Sequence, residues 1–171
     1  MENEILSLVF GFFGIILNAL IFQQKTREKI LYFKLASDFM WTLQFFFKGA
    51  YSGMAIAIIG IIRETVFLNS KHKWAQSKLW LVLFIILSLI SPIVTWNGFW
   101  SLFPMAASII SIICFWLSKP LLTKVLAYPI CFCQITYGIK WLIPMTILNE
   151  VITLCSTTIG LIRYKKNELS K

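Results

Sequence analysis

The sequence has few charged side chains. Charged residues make up 13% of the 171 residues, against about 25% in an average soluble domain. The deficit lies in the interior of the chain, where long apolar runs follow one another and raise the hydrophobic content to 58%. Lipid cannot hydrogen-bond to backbone polar groups, so apolar runs that lie in a bilayer must form helices. We expect one integral membrane domain over residues 1–171, with no separate soluble domain.

Histidine and aspartate are nearly absent. His72 is the only histidine and Asp38 the only aspartate. This excludes a two-aspartate intramembrane protease and leaves no set of histidine ligands for a zinc site. The four cysteines lie in apolar runs and are best explained as small buried side chains. The sequence contains no HExxH, no GxSxG and no phosphate-binding glycine loop. We therefore expect no enzymatic activity, no metal and no cofactor.

Basic residues outnumber acidic ones by 16 to 7, a formal net charge of +9. They fall mainly in short segments between apolar runs, such as QQKTREK and KHKWAQSK, so they indicate membrane topology. No basic stripe with interleaved aromatic residues lies on a soluble surface, which makes nucleic acid an unsuitable partner. The acidic start, MENE, differs from the basic start of a signal peptide. The first apolar run is therefore expected to be a retained helix.

The apolar runs predict an all-α membrane protein with seven transmembrane helices. Crossing the hydrocarbon core requires about 20 mainly apolar residues, with a lower limit near 17. Several tryptophans fall at the ends of the runs, where amphipathic rings prefer the membrane interface. The predicted helices cover residues 5–22, 30–47, 52–70, 79–95, 101–117, 121–138 and 141–163.

Basic residues also predict the orientation. With the N-terminus outside and the C-terminus inside, thirteen of the 16 basic residues belong to the inner side. Only Lys48 and Lys140 then belong to the outer side, and Arg63 lies within a helix. If the second predicted helix lay flat on the surface instead of spanning the membrane, this positive-inside bias would be lost. Seven spans with an N-out, C-in topology is the consistent solution.

Two segments of the chain resemble each other at an offset of 90 residues. Lys29, Lys34 and Gln44 then match Lys119, Lys124 and Gln134. The similarity of IGIIR (59–63) to IGLIR (159–163) is explained equally well by apolar coincidence, because the first arginine is mid-helix and the second is terminal.

The offset predicts a parallel 3+1+3 repeat. Residues 5–70 form the first three-helix repeat, 79–95 a linker helix and 101–164 the second repeat. Sugar transporters of the SWEET type have such parallel repeats, and transporters of this kind bind their solute near the midplane between repeats.

Four charged residues inside the predicted helices are the most informative: Arg63, Glu64, Asp38 and Glu150. Such residues are costly in a bilayer and normally face the bundle interior, paired with one another. Glu64 follows Arg63 directly, about 100° round the helix, and is expected to be a poor partner. Asp38 or Glu150, from another helix, fits better. The group is either a structural ion pair that joins helices or part of a polar cavity for a solute or ion.

Neutral polar residues extend the same candidate site. Trp41 lies three residues from both Asp38 and Gln44, so a helix brings the three onto one face. An aromatic ring beside hydrogen-bonding groups suits a small polar solute, although packing in the core or against lipid explains Trp41 equally well. The candidate substrate-binding residues are Asp38, Trp41, Gln44, Arg63, Gln134, Tyr137, Asn149 and Glu150.

The stretch KTREKILYFKLASDFMWTLQFFFKGAYSGMAIAIIGIIRETVF (25–67) resembles the first half of the bacterial inner-membrane YgjV family. The shared features are a basic loop, a helix with a polar aromatic end, Gly49-Ala50-Tyr51 and a mid-helix Arg63. LNEVITLCSTTIGLIRYKK (148–166) is similar to the family's last helix. The resemblance covers nearly the whole chain, but Gln44 stands where relatives often have a histidine nearby, and Gly60 where many have asparagine.

The resemblance implies a multi-pass protein of the bacterial plasma (inner) membrane, with a helix pattern similar to SWEET and PnuC-type transporters. Fold alone does not fix function. We expect a small-solute carrier or facilitator with a midplane polar cavity and an unknown small polar solute. The alternatives are a substrate-binding membrane subunit of a larger uptake complex and a structural or assembly membrane protein. The expected partners are the lipid bilayer, the solute and, as an option, further copies of the chain.

Overall fold

The structure is a computed structural model that describes residues 2–21, 27–69, 72–117 and 120–169. Several residues of the predicted basic loops, namely Lys25, Lys71, Lys119 and Lys171, lie outside these ranges. The side chain of Arg163 is also outside the described part of the structure. The charge count that predicts the topology therefore rests on the sequence.

Seven α-helices make up most of the described residues, which contain no strand. This confirms the all-α, seven-helix prediction at that level. Two short 3₁₀ turns, Lys73–Gln76 and Phe99–Ser101, precede the fourth and fifth helices. The helices are α1 (Glu2–Ile21), α2 (Arg27–Lys48), α3 (Tyr51–Leu68), α4 (Leu79–Val94), α5 (Leu102–Leu117), α6 (Pro120–Lys140) and α7 (Pro144–Leu169).

Prolines mark the starts of the last helices. Pro120 and Pro144 are the first residues of α6 and α7, a position where the missing N–H costs nothing because it has no partner within the helix. Because α7 starts at Pro144, it begins three residues later than predicted, and α6 ends two residues later than predicted. The turn between them includes Leu142, whose φ is +51°.

Six helices form a ring. Neighbours in the chain pack together within α1–α2–α3 and within α5–α6–α7. Contacts between α3 and α5 and between α1 and α7 join the two groups. The remaining helix, α4, packs against α3 and α5, where Phe84 belongs to a buried apolar cluster with Ile59 and Ile112.

The distribution of polarity is typical of a membrane protein. Buried positions include many polar residues, among them Ser37, Gln44 and Glu64, whereas large apolar side chains such as Ile93 and Phe132 are exposed. By length and composition α1, α3 and the Pro144–Ile162 part of α7 are able to cross a membrane. The helices α4 and α5 are apolar but have only 16 residues each, and α2 and α6 are longer but more polar.

Short polar contacts join the helices. Ser37 Oγ on α2 donates to the backbone oxygen of Gly14 on α1 at 3.1 Å, and Ser88 and Ser108 bond across α4 and α5 at 2.9 Å. The buried residues of α1 are Ser7, Gly11 and Gly14, which share one helix face. Small and hydroxyl-bearing residues of this kind let membrane helices approach closely.

Candidate functional site

A cavity of about 330 Å³ lies inside the ring of six helices. Every ring helix contributes to its wall, and none of the described residues of α4 does. The volume is near the lower limit of small-molecule pockets, about 300 Å³, so it suits a small solute. The polar residues of the wall are Asn18, Lys34, Asp38, Arg63, Ser108, Ser111, Gln134, Thr146, Asn149, Glu150 and Thr153.

The cavity reaches the middle of the helix bundle. Asp38 is close to the centre of α2, which runs from Arg27 to Lys48. With a rise of 1.5 Å per residue, its Cα lies roughly 15 Å from either helix end. A Cβ at Gly60 on α3 would lie 3.0 Å from Oδ2 of Asp38. The absence of a side chain at Gly60 therefore lets this carboxylate lie close to α3.

One side of the wall carries a network of charged residues from α2 and α3. Nζ of Lys34 lies 3.5 Å from Oδ2 of Asp38 and 3.6 Å from Oε1 of Glu64. Arg63 binds the same Glu64 oxygen through Nε at 3.2 Å and Nη2 at 3.0 Å. Glu64 is completely buried. Burial strengthens each attraction because the surroundings screen charge weakly.

The prediction about the ion-pair partner of Arg63 is wrong. Glu64 was expected to be a poor partner because the two residues point about 100° apart on α3. In the structure the Arg63 side chain bonds to Glu64. The arginine side chain is long enough to fold back to its sequence neighbour, so Cβ directions alone do not decide its contacts.

Asparagines and Glu150 form the facing side of the wall. Nδ2 of Asn18 on α1 donates to Oδ1 of Asn149 on α7 at 2.8 Å. Nδ2 of Asn149 donates in turn to Oε1 of Glu150 at 3.1 Å. Among the described residues no basic side chain lies within ion-pair distance of Glu150, in contrast to Asp38 and Glu64.

Two buried acceptor oxygens near the cavity have no hydrogen-bond partner. They are Oε1 of Gln134 on α6 and Oε2 of Glu64. Gln134 is a wall residue, and Glu64 is adjacent to the wall residue Arg63. Buried polar atoms without partners are rare in folded proteins, and each one requires an explanation.

Six of the eight residues proposed from the sequence line this cavity: Asp38, Trp41, Arg63, Gln134, Asn149 and Glu150. The other two, Gln44 and Tyr137, do not belong to its wall. Asp38, Trp41 and Gln44 were expected to share one face of a helix. Asp38 and Trp41 line the cavity, and α2 contributes Phe45 rather than Gln44 there.

Gln44 and Tyr137 instead join helices next to the cavity. Gln44 is completely buried against α1 and α7, where Thr146 Oγ1 donates to its Oε1 at 3.4 Å. The Tyr137 hydroxyl accepts a hydrogen bond of 3.0 Å from the backbone N–H of Gly53. Gly53 lies in the first turn of α3, where N–H groups have no partner within the helix. Tyr137 therefore caps α3.

The sequence analysis missed Asn18 and Lys34 as wall residues. Lys34 was counted on the inner side for the topology, although its position four residues before Asp38 is the spacing of a helical ion pair. Asn18 is the only asparagine in the first apolar run. A polar side chain inside an apolar helix is a signal of the bundle interior, and it would have identified this residue.

The described residues contain no group of three histidine, cysteine, aspartate or glutamate side chains arranged to hold a metal ion. The wall combines charged and hydrogen-bonding side chains with Trp41. The arrangement can bind and orient a small polar or charged molecule.

Comparison with known proteins identifies one family. A family model named Imp-YgjV, described as a bacterial inner membrane protein, matches residues 5–168. No curated protein and no solved structure matches the chain.

Proposed function

The chain belongs to the Imp-YgjV family of bacterial inner membrane proteins, and we propose that it is a carrier or facilitator for a small polar solute. The observation that supports this most directly is the cavity of about 330 Å³, lined with polar residues from six helices of one chain. Polar groups are expensive in a membrane, and those that line a cavity mark solute pathways. A protein with only a structural role has no need to keep Asp38 and Glu150 beside empty space.

The proposal includes a 3+1+3 arrangement in which α4 links two three-helix groups. The ring packing of α1–α2–α3 and α5–α6–α7 is compatible with it. The similarity of IGIIR to IGLIR adds no support, because Gly60 approaches the acidic Asp38 on α2 whereas Gly160 approaches the basic Lys124 on α6.

We further propose seven spans with the N-terminus outside and the C-terminus in the cytoplasm. A fluorescent protein that matures only in the cytoplasm is expected to fluoresce when fused after Lys171. A periplasmic phosphatase inserted at the α2–α3 turn, after Gly49, is expected to be active, because that turn lies on the outer side. Activity of the same phosphatase at the α3–α4 segment, after His72, would contradict the orientation.

The function is tested by a ligand screen on the detergent-purified chain, using sugars, nucleosides, vitamins, amino acids and amines. A ligand that binds only the folded state stabilises it by about 2.7 kcal/mol at 100 times its Kd, which raises the unfolding temperature. We expect at least one solute class to do so, and the same compound to enter proteoliposomes that contain the protein.

Asn149→Ala tests whether the cavity is responsible. Asn149 is buried in the wall and bonds to Asn18 and Glu150, so its removal is expected to weaken ligand binding about tenfold. Asn97→Ala is the matched control, since Asn97 is exposed in the α4–α5 turn. Equal binding in both variants would place the ligand elsewhere, and the absence of any ligand would favour a structural role or a subunit that needs partners.

A further inference from the structure

The cavity wall has more acidic than basic groups. Three carboxylates, those of Asp38, Glu64 and Glu150, lie in or beside a wall with two basic side chains, Lys34 and Arg63. Both basic side chains form ion pairs with Asp38 or Glu64. On the facing side, Glu150 accepts a hydrogen bond from Asn149, and Lys34 attracts it only from beyond ion-pair distance. The charge that the wall leaves without a counter-charge is therefore negative.

Two of the three unpartnered buried polar atoms at or beside the wall are hydrogen-bond acceptors. They are Oε1 of Gln134 and Oε2 of Glu64, whereas the third, Nε2 of Gln44, is a donor that lies behind the wall residue Thr146. The amide groups of Asn18 and Asn149 each donate one hydrogen bond within the wall. A ligand that pairs with either of these two oxygens must donate a hydrogen bond, and leaving such acceptors unpaired is costly.

The dimensions and the aromatic wall residue restrict the ligand further. A volume of about 330 Å³ exceeds what a single inorganic ion occupies. Trp41 lines the same cavity, and an indole ring attracts cations. Carboxylate, amide oxygen and indole together are the groups that hold a protonated organic amine.

We propose that the solute of this cavity is a small organic cation with N–H donors, such as a primary amine, and that Glu150 is its counter-charge. The proposal rests on the carrier function proposed above and specifies its substrate class. The ammonium group binds between Glu150 on α7 and Gln134 on α6, and the remainder of the molecule extends towards Trp41.

The test uses sets of compounds that share a skeleton and differ in charge. One set is tyramine, tyrosol and 4-hydroxyphenylacetate, and another is putrescine, 1,4-butanediol and succinate. Binding to the detergent-purified full chain is measured by calorimetry at constant pH and salt. In at least one set the amine is expected to bind at least tenfold more tightly than both its neutral and its anionic counterpart.

Two variants connect the preference to the wall. Glu150→Gln keeps the shape of the side chain and removes its charge, so it is expected to weaken amine binding about 10- to 100-fold, the range for a hydrogen bond to a charged group. Glu2→Gln is the matched control, an exposed acid at the start of α1. If Glu150→Gln does not fold, Gln134→Leu, which keeps the carboxylate, is expected to weaken amine binding about 2- to 10-fold.

The outcomes separate this inference from the carrier function. A neutral or anionic compound that binds best, or an amine that binds Glu150→Gln unchanged, overturns the cation assignment and leaves a carrier of another solute class. Saturable binding of sodium or potassium alone, with no effect of amines, also overturns it. If no compound of any charge binds or enters proteoliposomes, both the inference and the carrier function are wrong.

Discussion

Replacement of Arg63 by alanine is expected to destabilise the folded protein by about 3–5 kcal/mol, the range for removing one partner of a buried ion pair. The side chains of Arg63 and Glu64 are 8% and 0% exposed. Truncation would leave the Glu64 carboxylate with Lys34 at 3.6 Å and with an oxygen, Oε2, that has no hydrogen bond. The loss is measured as the SDS fraction at which the protein unfolds in mixed micelles.

Lys48→Ala is the matched control, because Lys48 forms an ion pair with Glu4, which is 68% exposed. Surface pairs contribute only about 0–1 kcal/mol. Gln44→Ala is also expected to cost less than Arg63→Ala, since the Nε2 atom that it removes has no partner. If Arg63→Ala unfolds at the same SDS fraction as Lys48→Ala, the Arg63–Glu64 pair does not stabilise the bundle.

A double replacement separates the contribution of the ion pair to stability from the contribution of the volume that its side chains fill. Leucine at both Arg63 and Glu64 removes the buried charges together, and apolar residues of similar size often replace a buried pair without loss. We expect this variant to recover much of the stability lost in Arg63→Ala. A double variant that is less stable than the single one would indicate that further contacts of these side chains hold the fold.

Gly11→Ala is expected to destabilise the protein by about 1–3 kcal/mol, the usual cost of overpacking a close-packed core. A Cβ at this position would lie 2.5 Å from Nε2 of Gln44 and 2.6 Å from Cβ of Met145. The glutamine end is able to move, whereas the Cβ of Met145 is fixed to the backbone of α7. The added methyl group therefore pushes α1 away from α7, at the contact that closes the ring.

Gly160→Ala provides the control with the same chemical change. A Cβ there would lie 3.5 Å from Cε of Lys124, an ordinary contact, and alanine is favoured over glycine inside a helix by roughly 0.5–1 kcal/mol. We expect Gly160→Ala to be neutral or slightly stabilising in the SDS titration. Equal stability of the two variants would show that the α1–α7 contact tolerates separation.

Much of the fold was predictable because it depends on local properties of the chain. Apolar runs long enough to span a bilayer specify helices wherever they lie, and all seven have counterparts in α1 to α7. The differences concern helix ends. Pro144 starts α7 where the apolar pattern alone suggested an earlier start, because a tryptophan and a proline contribute similarly to hydropathy but differently to backbone geometry.

The candidate site was predictable only in part, because rotation of a helix about its axis depends on its neighbours. Trp41 faces the cavity, while Gln44, three residues further along α2, packs against α1 and α7. A single sequence shows that both are polar or amphipathic but not which neighbour each will meet. Tyr137 illustrates the same point, since its partner is a backbone N–H of α3 with no signature in the sequence.

The sequence by itself determined the membrane class, the inner-membrane family and the number of helices, because these follow from composition, run length and motifs within single segments. Only the tertiary structure decided how Arg63 is neutralised, that Asn18 and Lys34 join the wall, and that Glu150 has no basic partner among the described residues. The first depends on how the Arg63 side chain folds back to its neighbour Glu64 on α3, and the others depend on distances between side chains on different helices. Such distances are set when six helices close into a ring around one cavity, and no single segment of the sequence contains them.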